Sequence, residues 1–119
     1  MAGANRTSLE RGSPGLEIIQ ELKRTLGEPI VDKRANGAFQ GTKLSGLLMA
    51  RGIRHLAFCS NTIYVCVHTT LRDAHNWVYE RLLMADCCGC IDPALHAVAV
   101  KDGIFGCITS TEAVFAAFA

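Results

Sequence analysis

The sequence predicts an α/β fold of three layers, a parallel sheet with helices on both faces. Three observations carry this expectation. The candidate strands, such as His55-Leu56-Ala57-Phe58-Cys59, are largely apolar instead of alternating, as in strands covered on both faces. They alternate along the chain with stretches whose apolar residues recur at helical spacing. Half of the 119 residues are apolar, ample for one domain or part of one.

The elements follow in order. Residues 1–12 are polar and read as a flexible arm, leaving 13–119 as the domain. Ser13-Pro14 is a helix start whose buried side would be Leu16, Ile18, Ile19 and Leu22. Pro29-Ile30-Val31-Asp32 reads as a short buried strand, followed by a loop from Arg34 to Gly41. Thr42 is placed to cap a helix carrying Leu44, Leu47 and Leu48 on one face, closed by Gly52. After the strand at His55–Cys59 and a turn at Ser60-Asn61-Thr62, a helix is expected from about Val65 to Asn76. A strand over Arg81–Ala85 and a loop over Asp86–Asp92 come next. Asp92-Pro93 opens a helix reaching about Val100, Gly103–Ile108 is the last strand, and Thr109 with Glu112 forms a capping box before Ala113–Phe118.

Composition narrows the function. A net charge of +1 argues against a nucleic-acid binder working through phosphate contacts. No apolar run reaches the ~18 residues of a membrane span, and the first residues lack the apolar stretch of a secretory signal, so a cytoplasmic globular protein is expected. The six cysteines are then read as reduced thiols. Cys87-Cys88-Gly89-Cys90 invites a metal or redox reading, but no second ligand pair stands at zinc spacing, so no metal is expected.

In a parallel sheet, chemistry gathers at the carboxyl ends of the strands, where Lys33 and the stretch Ser60–Cys66 fall. Cys66 near a helix start meets free N–H groups that favour a thiolate and can receive an oxyanion. An ammonium beside the sulfur would favour the charged form further. The plainer reading, a buried thiol and a solvated lysine, fits the same residues. One Cys and one Lys do not separate the two.

Longer motifs do. Tyr64-Val65-Cys66-Val67-His68-Thr69-Thr70-Leu71-Arg72-Asp73-Ala74 resembles the nucleophile segment of the isochorismatase-like cysteine hydrolases. Pro29-Ile30-Val31-Asp32-Lys33, Gly37-Ala38-Phe39 and Gly41-Thr42-Lys43-Leu44 resemble the lysine segment of that family. Arg51-Gly52-Ile53-Arg54-His55-Leu56, Asp86-Cys87-Cys88-Gly89 and Gly103-Ile104-Phe105-Gly106 extend the likeness over about residues 11 to 119. The Val-Cys-Val-His-Thr-Thr form is most similar to the biuret and ureidoacrylate amidohydrolase branch.

The resemblance implies a Rossmann-like α/β/α fold and a cofactor-free Cys–Lys–Asp triad that hydrolyses amide or ureido C–N bonds through a thioester. Carried over, Cys66 is the nucleophile and Lys33 the group that holds its charge. Backbone N–H groups of Cys66 and Thr62 receive the oxyanion, with a cis peptide near Asn61-Thr62. Read from its place in the loop after Lys33, Phe39 is the aromatic expected nearest the substrate, with plain packing as the equal alternative. The family's triad Asp ends a first strand that has no counterpart in this sequence, so the domain is expected to lack its N-terminal part, and activity of this chain is in question. The sheet edge beside His55–Cys59 would then be open, which invites a homo-oligomer or association through that edge. Ile63 in the turn is expected either to narrow the pocket or to keep the turn from taking its strained shape. The competing reading is a non-catalytic homologue that binds a partner subunit; a thiol-rich redox or metal protein is a third.

Overall fold

The computed structural model describes residues 10–101 and 106–119, in two compact units, Met1–Ile30 and Val31–Ala119. The arm expected over residues 1–12 lies outside the described residues up to residue 9. In the first unit the expected helix is absent. Two single 3₁₀ turns stand instead, Pro14–Leu16 and Gln20–Leu22, with no buried residue in either. Leu16, Ile18, Ile19 and Leu22, expected to be buried, are exposed. Without a packed face, nothing offsets the cost of nucleating a helix. The strand expected at Pro29–Asp32 is also missing: those residues join no ladder.

The second unit holds a parallel sheet of three strands in the order β1 (His55–Phe58), β2 (Glu80–Met84) and β3 (Cys107–Thr109). His55 pairs with Glu80 and Phe58 with Leu83 on one side of β2; Leu82 pairs with Cys107 on the other. Four α-helices accompany the sheet: α1 (Leu44–Ala50), α2 (His68–Asn76), α3 (Pro93–Lys101) and α4 (Thr111–Phe118). The parallel α/β architecture matches the sequence expectation. Full burial of every strand does not: β1 alternates exposed and half-buried residues, since successive side chains point to opposite faces and one face is less covered. The strand expected over Gly103–Ile108 partly lies outside the described residues; β3 begins at Cys107.

Local chemistry sets the helix ends. Thr42 Oγ1 accepts the Leu44 N–H at 3.1 Å, and Gly52, at φ 64°, closes α1 with its N–H on Met49 O at 3.0 Å. Asp92 Oδ1 accepts the Ala94 N–H at 2.9 Å at the start of α3, where Pro93 loses no bond by lacking its N–H. The cap of α4 is Ser110, whose Oγ accepts the Ala113 N–H at 3.2 Å, one residue later than the expected Thr109. The Asp86 carboxylate adds a second cap there, accepting the Thr111 N–H at 3.0 and 2.9 Å. Val78, closing α2, takes φ 63°, a left-handed conformation that β-branched residues rarely adopt and that the sequence does not announce.

Two clusters form the core. Ile63, Val67, Leu71, Leu83 and Cys88 make one, with Ala99 and Val100 of α3 packed against it. Phe39, Ala74 and Tyr79 make the other, with Leu44 and Leu48 of α1 against it. Phe58 touches both, so the end of β1 is fixed by packing from two directions. No helix among the described residues is long and apolar enough to cross a membrane.

Candidate active site

The segment after β1 determines where Cys66 stands. The Asn61–Thr62 peptide bond is cis, and the chain then enters a π-helical turn, Ile63–Val67, that runs directly into α2. The helix therefore starts two residues before the expected Val65, and Cys66 lies within its first wide turn. Such turns widen the backbone and often accompany functional residues. Ile63, 1% exposed, anchors the turn in the core and does not line the site, and the turn keeps its cis bond, so neither expected effect of Ile63 is seen. Gly89, in the loop after β2, ties the turn from the other side. Its N–H donates to Ser60 O at 3.1 Å, and its carbonyl accepts the Ile63 N–H at 3.0 Å.

Cys66 and Lys33 line one cavity of about 200 Å³, together with Ala38, Cys59, Ser60 and Thr70. The cavity lies at the carboxyl end of β1, as the parallel topology favours. The Cys66 thiol has a long contact of 3.9 Å to Asn36 Oδ1. The Lys33 ammonium donates to the Ala35 carbonyl at 2.8 Å, two residues along its own loop, and not to the sulfur. The lining contains no Asp or Glu. The cavity thus holds a thiol and an ammonium, with no carboxylate in its wall.

Thr70, buried one turn beyond Cys66, holds the two halves of the site together. Its hydroxyl donates to the Cys66 carbonyl at 2.7 Å and accepts the Ala38 N–H at 3.2 Å. That pair of bonds fixes the Lys33–Ala38 loop against the Cys66 turn. Phe39 takes the packing role and not the place nearest a substrate. It is 6% exposed, packs in the core against Tyr79 with ring centroids 5.8 Å apart, and leaves the cavity wall to its neighbour Ala38. The sequence points to Ser60 through its place at the strand end, but it does not mark Thr70 or Asn36 as site residues. The four-residue offset from Cys66 to Thr70 is the signal that could have found the first of these two.

The cysteine-rich loop is dispersed. The Cys87 sulfur lies 2.9 Å from Thr111 Oγ1, while Cys88 is buried, and burial pushes its thiol above the ordinary range. Among the described residues no group of three or more His, Cys, Asp and Glu side chains is placed to hold a metal ion. His68 lines a small apolar pocket with Ile63, Leu71 and Leu83, apart from the residues that line the Cys66 cavity.

Comparison with known proteins adds the ancestry. Residues 2–113 match the model of the family described as the isochorismatase domain. The chain belongs to the isochorismatase family. It is 32% identical over 116 residues to the ureidoacrylate amidohydrolase RutB of Stutzerimonas stutzeri, a match covering 95% of this chain and 47% of that relative. The fold superposes on an isochorismatase-like hydrolase from Alkaliphilus metalliredigens with a TM-score of 0.87 at 27% identity, over 91% of this chain and 61% of the other. An N-carbamoylsarcosine amidase from Thermoplasma acidophilum gives a TM-score of 0.73 at 26% identity, over 83% of this chain and 57% of the other. The isochorismatase-family chain thus spans about half the length of the relatives it matches.

Proposed function

We propose that this chain carries the thiol-bearing part of a hydrolase acting on amide or ureido C–N bonds, with Cys66 as nucleophile. The observation that carries the reading is the shared cavity of Cys66 and Lys33 at the carboxyl end of β1. The amidohydrolase and amidase among its relatives point to the bond type. In the proposed step the Cys66 sulfur gives up its proton and attacks the carbonyl carbon. The oxyanion is received by backbone N–H groups of Cys66 and Thr62, after the cis bond that begins at Asn61. The C–N bond breaks, nitrogen takes a proton and leaves as ammonia or an amine, and water hydrolyses the thioester to restore the thiol. Lys33 steadies negative charge on sulfur and on the intermediate. No cofactor enters these steps, and the substrate is a small molecule that fits a cavity of about 200 Å³.

Two proton transfers in this sequence need a carrier, and the lining provides no carboxylate. Acylation of Cys66 is therefore expected to outrun turnover in the isolated chain. That same feature, with Lys33 bonded to Ala35, favours the second reading of a non-catalytic homologue that associates with a partner through the edge of β1. Ammonia release from ureidoacrylate and biuret by the purified chain and by Cys66→Ser separates the two. A hydrolase releases ammonia in a manner that the substitution abolishes; a non-catalytic homologue releases none from either protein.

A further inference from the structure

We propose that Asp86 is a positioning residue for the reaction: it anchors the loop after β2 to the start of α4, and that loop holds the Thr62 N–H in place. The inference rests on the reading of Cys66 as nucleophile, with Thr62 among the donors that meet the oxyanion. The contacts begin at α4. The Asp86 carboxylate accepts the Thr111 N–H through both oxygens, at 3.0 and 2.9 Å. The sulfur of the next residue, Cys87, lies 2.9 Å from Thr111 Oγ1. Two successive loop residues thus grip one residue at the helix start. The Cys88 N–H then donates to the Ala85 carbonyl at 3.3 Å, so a single 3₁₀ turn separates this anchor from Gly89.

Gly89 carries the anchor to the site. Its N–H donates to Ser60 O and its carbonyl accepts the Ile63 N–H, the pair of bonds that makes it an isolated parallel bridge partner of Asn61. Gly89 therefore holds the residues on either side of Asn61-Thr62 and leaves those two between its bonds. The Thr62 N–H has no acceptor among the described residues, which leaves it for an oxyanion. Asp86 is absent from the lining of the Cys66 cavity, so any influence it has on the reaction passes through the loop.

Burial alone does not hold this loop. Asp86, Cys87 and Gly89 are exposed, and Cys88 is the one residue of the four that enters the core. A single buried side chain fixes where the loop passes; the polar anchors around it fix how the Gly89 N–H and C=O are turned. Outright loss of an oxyanion donor costs about 10²–10³ in rate. With Cys88 still buried, loss of Asp86 loosens the donor without removing it. The expected effect is accordingly smaller, on the order of tenfold.

The test uses the full chain and p-nitrophenyl acetate, whose attack by a thiol passes through an oxyanion before p-nitrophenolate leaves. Iodoacetamide, which alkylates sulfur with no oxyanion, is the control. Modification of Cys66 is followed by intact mass and peptide mapping. Asp86→Ala should slow acetylation of Cys66 on the order of tenfold and leave its alkylation within about twofold. Asp86→Asn keeps an oxygen that accepts the Thr111 N–H and should recover most of the loss. Amide hydrogen exchange at Ile63, whose acceptor is the Gly89 carbonyl, should quicken in Asp86→Ala, and this readout needs no reaction at Cys66. Acetylation and alkylation that change together overturn the proposal, because Asp86 would then be no more than a cap of α4. Unchanged acetylation, or unchanged exchange at Ile63, overturns it as well. If Cys66 of the unsubstituted chain is acetylated no faster than free cysteine, the nucleophile reading itself fails and this proposal falls with it.

Discussion

Thr70 donates its hydroxyl proton to the Cys66 carbonyl at 2.7 Å from one helical turn away. The same oxygen accepts the Ala38 N–H at 3.2 Å, so one buried side chain joins the Cys66 turn to the loop that carries Lys33. Thr70→Val keeps the shape and deletes both bonds. It should cost about 1–3 kcal/mol, since the Ala38 N–H loses its acceptor. Urea denaturation measures that loss. Acylation of Cys66 should fall alongside it, because the loop is no longer held against the turn. Thr70→Ser, which retains the hydroxyl, should recover most of both.

Gly89 is required by proximity. A Cβ there would stand 2.8 Å from Asn61 Oδ1 and 3.0 Å from Asn61 Cγ. Gly89→Ala must therefore displace the Asn61 side chain or the turn, at about 1–3 kcal/mol. Pairing it with Asn61→Gly removes the colliding atoms. Double-mutant analysis should then show coupling between the two positions, and additive losses would contradict the steric explanation.

Asp86 links stability to pH. Its carboxyl is held below the usual carboxylate range, chiefly by the backbone N–H of Thr111 at the start of α4. A depressed folded-state value means the stabilisation is present above the unfolded carboxylate's range and is lost as pH falls through the folded value. Urea midpoints measured from neutral to acid pH should decline in that window. Asp86→Asn should flatten this part of the profile.

Much of this architecture is legible in the sequence, and the gaps have physical causes. Asp92-Pro93 specifies its helix because cap and imino acid act locally, and α3 begins there. The segment Leu16–Leu22 carries the apolar residues of a helix, but a pattern becomes structure only against a surface that buries it. Cys66 and Lys33 were readable as a pair from the resemblance and from the rule that sites gather at strand ends. Phe39 was not readable as core, since an aromatic in a glycine-rich loop serves a pocket or a core equally well; its partner Tyr79 lies forty residues on. Val78 at φ 63° is invisible because nothing in a valine marks a left-handed turn.

The thiols should differ in reactivity according to burial. Cys88 is buried, and desolvation pushes its thiol up, which leaves little thiolate to react. Its raised folded-state value means that its contribution to stability is complete below the unfolded thiol's range and is lost as pH rises through the folded value. Timed iodoacetamide labelling with peptide mapping should find Cys66 modified well before Cys88. Cys88→Ala should remove its part of the alkaline loss of stability.

The most direct measurement is acid-quenched intact-mass analysis of the chain mixed with ureidoacrylate, with peptide mapping of any adduct. An acyl group on Cys66 that forms within a single turnover, and is absent in Cys66→Ala, is the expected result. An adduct on another residue contradicts the assignment of Cys66 as nucleophile, and so does ammonia release that persists in Cys66→Ala. Finding neither adduct nor ammonia contradicts the hydrolase reading itself.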